Sequence, residues 1–151
     1  MGKDLTYHEQ TDMENTQKLR DILQTLPAFA KNYFRAMEPT TSTSTRIAYA
    51  YDIRVFFRFL MENNPALKGK EITKLSVDIL DRLGAEDIEE YQEYLKLYEA
   101  EDKYLTNGER GLKRKMSALR SFYAYYYKQQ LITTNPTLLV DMPKLHDKTI
   151  V

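Results

Sequence analysis

From Thr16 to Met37 apolar residues return every three or four positions: Leu19, Ile22, Leu23, Leu26, Phe29, Ala30, Tyr33, Phe34 and Met37. That period predicts a helix with one buried face. Pro27 falls inside it and kinks or splits the helix, because its ring removes a backbone donor and clashes with the preceding turn. Ahead of it, residues 1–15 are polar and without periodicity, which predicts a flexible leader. A second helix is predicted from Ser44 or Thr45 to about Glu62, with Tyr49, Ile53, Phe56, Phe57 and Leu60 as its apolar stripe. Asn63, Asn64 and Pro65 end it. Residues 66–85 read as a connector with a short helical turn in "LSVDILDRL".

The segment "GAEDIEEYQEYLKLYEAED" predicts a third helix, with Ile88, Tyr91, Tyr94 or Leu95, and Tyr98 inward and its acids in water. A turn in "LTNGERG" leads to a fourth helix, about Glu109 to Gln130, whose buried stripe is Leu112, Met116, Leu119, Tyr123 and Tyr126. "LITTNP" closes it. No alternating run long enough for a strand of useful length is present. The expected fold is all-α, one domain of four main helices.

At 151 residues the chain is long enough to bury a core without staples. It has no cysteine, so disulfides and thiolate metal sites are excluded. Nothing approaches the roughly 20 apolar residues of a membrane span, and the N-terminus is too polar for a signal peptide. A soluble, cytoplasmic protein with no membrane partner is expected. The net charge is zero, but it is unevenly spread. Residues 41–70 carry five basic and two acidic side chains, residues 71–102 three and eleven, and residues 103–128 seven and one. Two basic segments flank an acidic one, and such asymmetry guides the choice of partner better than the total.

On a helical wheel Arg110, Lys113, Arg114, Ser117 and Ser121 share a face opposite Met116, Leu119 and Tyr123, with Lys115 off to one side. Cations with small spacers suit a major groove, where Arg and Lys reach guanine acceptors or phosphates. A solvated helix surface is the plainer reading. In the second helix Arg46, Arg54 and Arg58 align at multiples of four. Six hydroxyl residues, Thr40 to Thr45, precede it. One of them, Ser44 or Thr45, is expected to cap the helix. The others, Thr41 and Thr43 among them, either donate to a nucleic-acid backbone beside the helix N-terminus or form a polar linker. The tyrosines, "FYAYYYKQQ" included, read first as packing residues.

Taken in order, "TSTRIAYAYDIRVFFRFL" and "ERGLKRKMSALRSFYAYYYKQQLITTNP" resemble the N-terminal core-binding domain of tyrosine site-specific recombinases, the phage integrase family. Thr45, Tyr49, Asp52, Phe56, Phe59 and Leu60 match its opening pattern, and Leu119, Arg120, Phe122, Tyr123, Asn135 and Pro136 its closing one. The resemblance covers roughly residues 16–143. It implies a SAM-like orthogonal bundle of four to five helices built as two crossed helical hairpins. It also implies that the second and fourth helices meet the major groove on one side of a recombination site. Thr41, Thr43, Ser44, Thr45, Arg46, Tyr49, Arg110, Lys113, Arg114, Ser117 and Ser121 are then the DNA-binding candidates.

Strand cleavage in the family belongs to a separate C-terminal domain with an arginine–histidine constellation and a tyrosine nucleophile. Here only His8 and His146 occur, no His-x-x-Arg is present, and no tyrosine matches the nucleophile. Residues 144–151 are expected to begin a linker to that domain. The fragment is expected to bind duplex DNA without cutting it, to need no metal or other cofactor, and to be monomeric alone while meeting other protomers on DNA. The rivals are a helical protein–protein interaction module, through the acidic third helix and tyrosine-rich fourth, and a small enzyme. For the enzyme no metal cluster, phosphate loop or nucleophile–base pair speaks.

Overall fold

A T-x-x-E sequence, Thr6 to Glu9, starts the first helix: the Thr6 hydroxyl accepts from the Glu9 amide at 3.1 Å. In this computed structural model, which describes residues 5–100, 103–105 and 108–144, helix α1 runs Tyr7–Leu23. It therefore begins inside the stretch expected to be a leader. Pro27 splits the long pattern in two: α1 ends ahead of it and α2 (Ala30–Met37) begins after it. Helix α3 spans Thr43–Asn63, α4 Ala85–Tyr94 and α5 Glu109–Lys128. Three short 3-10 turns, Pro65–Leu67, Ile72–Lys74 and Val77–Arg82, make up the connector between α3 and α4.

One expectation fails. The third helix does not reach Asp102 but stops at Tyr94, and the chain enters a hairpin of β1 (Tyr98–Ala100) and β2 (Lys103–Leu105), antiparallel. Aromatic residues on both sides of the acids, Tyr98 and Tyr104, favour extended chain. Leu95 and Tyr98 are both buried at the turn-off, and the Tyr98 ring stacks on Tyr94 at 5.2 Å. Thr106 and Asn107 of the expected turn lie outside the described residues. With three residues per strand the hairpin is an appendage, and the fold remains all-α.

Helix α3 is the axis of the bundle, packed against α1 on one side and α5 on another. Its stripe of Ile53, Phe56, Phe57 and Leu60 is fully enclosed, as are Met116, Leu119, Phe122, Tyr123 and Tyr126 of α5. Phe122 sits in the middle of an aromatic cluster, with ring centroids 5.2 Å from Tyr33, 4.9 Å from Tyr126 and 6.0 Å from Phe57. These pairs meet edge to face, the arrangement the ring quadrupoles favour.

Buried hydroxyls of α5 tie distant segments to it. Tyr123 donates to the Leu80 carbonyl at 2.9 Å and Tyr126 to the Phe29 carbonyl at 2.8 Å. Burial pushes both phenols well above the usual tyrosine range. They are protonated hydrogen-bond donors at any physiological pH.

The end of α5 turns through Gln130 in the left-handed region, φ 60°, with the Leu131 amide donating to the Tyr126 carbonyl. The following segment is then held by Asp81. Its carboxylate accepts from the Thr133 amide at 2.9 Å, and from the Thr134 amide and hydroxyl at 3.0 Å each.

Candidate nucleic-acid interface

Six hydroxyls in a row offer six places to start a helix, and Ser42 is the one used. Its oxygen accepts from the Thr45 amide at 3.1 Å, and α3 begins at Thr43. The expected cap, Ser44 or Thr45, is two or three residues too late. The cause is Arg46. Only 7% exposed, its guanidinium donates to the carbonyls of Glu38 (3.0 Å) and Thr41 (2.7 Å) and to the hydroxyls of Thr41 (3.2 Å) and Thr43 (3.1 Å). This folds residues 38–41 back over the start of the helix. Thr41 also donates to the Met37 carbonyl. The hydroxyl run is thus largely consumed in building the corner between α2 and α3.

Ser42→Ala is accordingly expected to cost about 0.5–2 kcal/mol of stability. A matched Ser44→Ala change is expected to cost less. Thermal midpoints of the two variants give the comparison; a larger loss at Ser44 would move the cap.

Among the other α3 candidates, Ser44 is exposed, Thr45 half-buried and bonded to Ser42 at 2.9 Å, and Tyr49 half-buried against the core. Arg54 stacks over the Tyr51 ring at 5.0 Å. The alignment of Arg46 with Arg54 and Arg58 on a wheel does not make one surface, because Arg46 faces inward.

On α5 the wheel holds for the three cations. Arg110, Lys113 and Arg114 are exposed on one side, opposite the buried stripe. Ser117 and Ser121 lie half-buried further along, and the Ser121 hydroxyl is 2.7 Å from the Tyr33 phenol. Ser121 therefore helps to seat α5 on α2.

Asp52, matched above only to the family pattern, and Lys115 form a buried pair that the sequence reading missed. Asp52 of α3 is 2% exposed and its Oδ1 lies 2.9 Å from Arg114 Nη2 and 3.8 Å from Lys115 Nζ. Lys115, placed off to one side on the wheel, is 8% exposed. Burial pushes the Asp52 carboxyl up against the pull of the two cations, and pushes the Lys115 ammonium down against the pull of Asp52. Asp52 falls in phase with Tyr49, Ile53 and Phe56. A carboxylate inside an apolar stripe requires a buried cation, and that signal was available in the sequence.

Among the described residues no group of three or more His, Cys, Asp or Glu is placed to hold a metal ion, and no helix is long and apolar enough to cross a membrane. A groove between α1, α2 and the start of α3 has Leu19, Leu23 and Phe34 in its wall and Arg20, Lys31 and Arg35 beside them.

Residues 30–130 match the family model described as phage integrase, N-terminal SAM-like domain. A tyrosine recombinase XerC of Caldanaerobacter subterraneus subsp. tengcongensis is 36% identical over 119 residues, covering 76% of this chain and 32% of that protein. The XerC of Bacillus licheniformis is 43% identical over 115 residues, covering 76% and 31%. That of Bacillus pumilus is 33% identical over 138 residues, covering 91% and 36%. The chain spans about a third of the length of these relatives. No solved structure matches it. With a helical bundle over the matched residues and relatives along most of its length, the chain belongs to the phage integrase N-terminal SAM-like domain family, the family of the tyrosine recombinases.

Proposed function

We propose that this chain is the DNA-gripping domain of a tyrosine recombinase, laying α5 and the exposed side of α3 in the major groove on one side of a recombination site. The observation that carries the reading is the exposed row of Arg110, Lys113 and Arg114 on α5. Those cations stand on a rigid helix fixed from beneath by Met116, Leu119 and Phe122. Arg46, Thr41 and Thr43 serve this surface from below by shaping the start of α3, leaving Ser44 and the α3 N-terminus outward. Strand cleavage and rejoining belong to the part of a recombinase that lies outside the matched third. The tyrosines Tyr123 and Tyr126 are locked in carbonyl hydrogen bonds and are not nucleophiles. The domain works in the cytoplasm, where it meets other recombinase protomers on the DNA.

The test is binding of the chain to labelled duplex DNA by fluorescence anisotropy across a salt series. Affinity is expected to fall steeply with salt as phosphate contacts release counterions. Arg110→Ala and Lys113→Ala are each expected to weaken binding on all sequences and to lower the slope of log affinity against log salt by about 0.9. Binding indifferent to salt, or unaltered in the double variant while it remains folded, would remove α5 from the interface. A protein-interaction module would show that indifference.

A further inference from the structure

Asp52 has two cationic neighbours of unlike exposure, both on the Oδ1 side, while its Oδ2 is buried with no hydrogen-bond partner among the described residues. Lys115 Nζ, itself enclosed, lies 3.8 Å from Asp52 Oδ1 within the core. Arg114 adds a second contact, and a different one: its side chain is 53% exposed while the carboxylate it holds is 1% exposed. A guanidinium is a flat fork with five donors, and the single bond to Asp52 Oδ1 engages one terminal nitrogen. The remaining edge stands on the exposed basic side of α5, between Arg110 and Ser117.

We propose that Arg114 is the base-reading residue of this surface and that Asp52 is its positioning residue, a buried anchor that fixes the plane of the guanidinium before DNA arrives. The inference rests on the DNA-binding reading of α5 given above. An arginine ordered in advance loses less rotamer freedom on binding. A fixed plane also selects for the paired acceptors O6 and N7 of guanine over a phosphate that can be met from any angle. Among the described residues Arg110 and Lys113 have no such anchor in the core, and they act as phosphate contacts. A single buried aspartate thereby divides three neighbouring cations into one that reads and two that hold.

The experiment is selection from a randomised duplex pool with the full chain, followed by affinities on the selected and an unrelated duplex. Wild type is expected to prefer a guanine at one position, and Arg114→Ala to flatten that position with roughly tenfold loss on the selected duplex. Asp52→Asn is expected to flatten the same position, to lose a similar factor, and to have no further effect in the Arg114→Ala background. Arg110→Ala and Lys113→Ala are expected to weaken both duplexes alike. Circular dichroism checks folding. Should Asp52→Asn not fold, the same cycle is run in a Lys115→Met background, where the buried cation is removed with its partner. The inference is overturned if Asp52→Asn keeps the preference, if its loss simply adds to that of Arg114→Ala, or if Arg114→Ala weakens both duplexes alike. If no variant and no wild type binds DNA, the reading of the surface falls and this inference with it. If one of those overturning results is found while Lys113→Ala still weakens binding, the reading of the surface stands and only this inference falls.

Discussion

Asp52→Ala is expected to destabilise the domain by about 3–5 kcal/mol, the usual consequence of removing one partner of a buried ion pair. The loss does not measure an attraction. Burial pushes the Asp52 carboxyl up and the Lys115 ammonium down, so each charge is costly to enclose and is kept by the other. Deleting the carboxylate takes from the Lys115 ammonium, 9% exposed as a side chain, the counter-charge that Asp52 supplies. Replacing both, as in Asp52→Leu with Lys115→Met, is expected to recover most of the loss, because well-packed apolar side chains often match or exceed a buried pair. Denaturant unfolding of the three variants decides it. A loss below about 1 kcal/mol for Asp52→Ala would place that pair in effect at the surface.

The pH dependence has a definite sign. Because the folded carboxyl takes its proton at higher pH than the unfolded one, wild type gains stability from this group as pH falls toward the ordinary aspartate range. Asp52→Ala lacks that gain, so the gap between the two proteins should widen on acidification.

Phe122→Ala is expected to cost about 3–5 kcal/mol. The ring is fully enclosed and touches rings from three other parts of the chain: Phe29 ahead of α2, Tyr33 on α2 and Phe57 on α3. No single neighbour can move in to fill the space, because each is pinned by its own element. Phe122→Leu should lose distinctly less by keeping most of the volume. Equal losses for the two would mean that the ring geometry, not the filled space, is what matters there.

How much of this was legible depends on where the deciding interaction lies. The stripes on α3 and α5 were read correctly down to Ile53, Phe56, Phe57, Met116 and Leu119, because burial against a neighbouring element follows the helical period. The break at Pro27 is equally local. The start of α1 is not a matter of periodicity: its first turns are polar, and only the Thr6-to-Glu9 cap marks them. The choice of Ser42 within the hydroxyl run could not be read from propensity, since its neighbours cap as well. It is set by Arg46 reaching back eight residues to the Glu38 carbonyl. That same reach took Arg46 from the basic face where a wheel had placed it. A wheel records direction from the axis of one helix. It does not record that another part of the chain comes to cover the first turn.

The bonds that join α5 to the rest of the bundle also bear on the order in which the domain can be made. Ser121 meets Tyr33 across 88 residues, Tyr126 meets Phe29 across 97, Arg114 meets Asp52 across 62 and Tyr123 meets Leu80 across 43. Each closes a long loop before it returns any energy, and such closures slow the search for the native state. Until α5 is synthesised, Phe57 and Phe29 have no partner ring on that side, and Asp52 has neither cation. In a nascent chain α1 and α3 can pack before α5 exists, but the side of the core that α5 covers closes only after α5 is made. The surface proposed to hold DNA comes into being with that closure, so a chain interrupted before Glu109 would lack both the α5 side of its core and its grip.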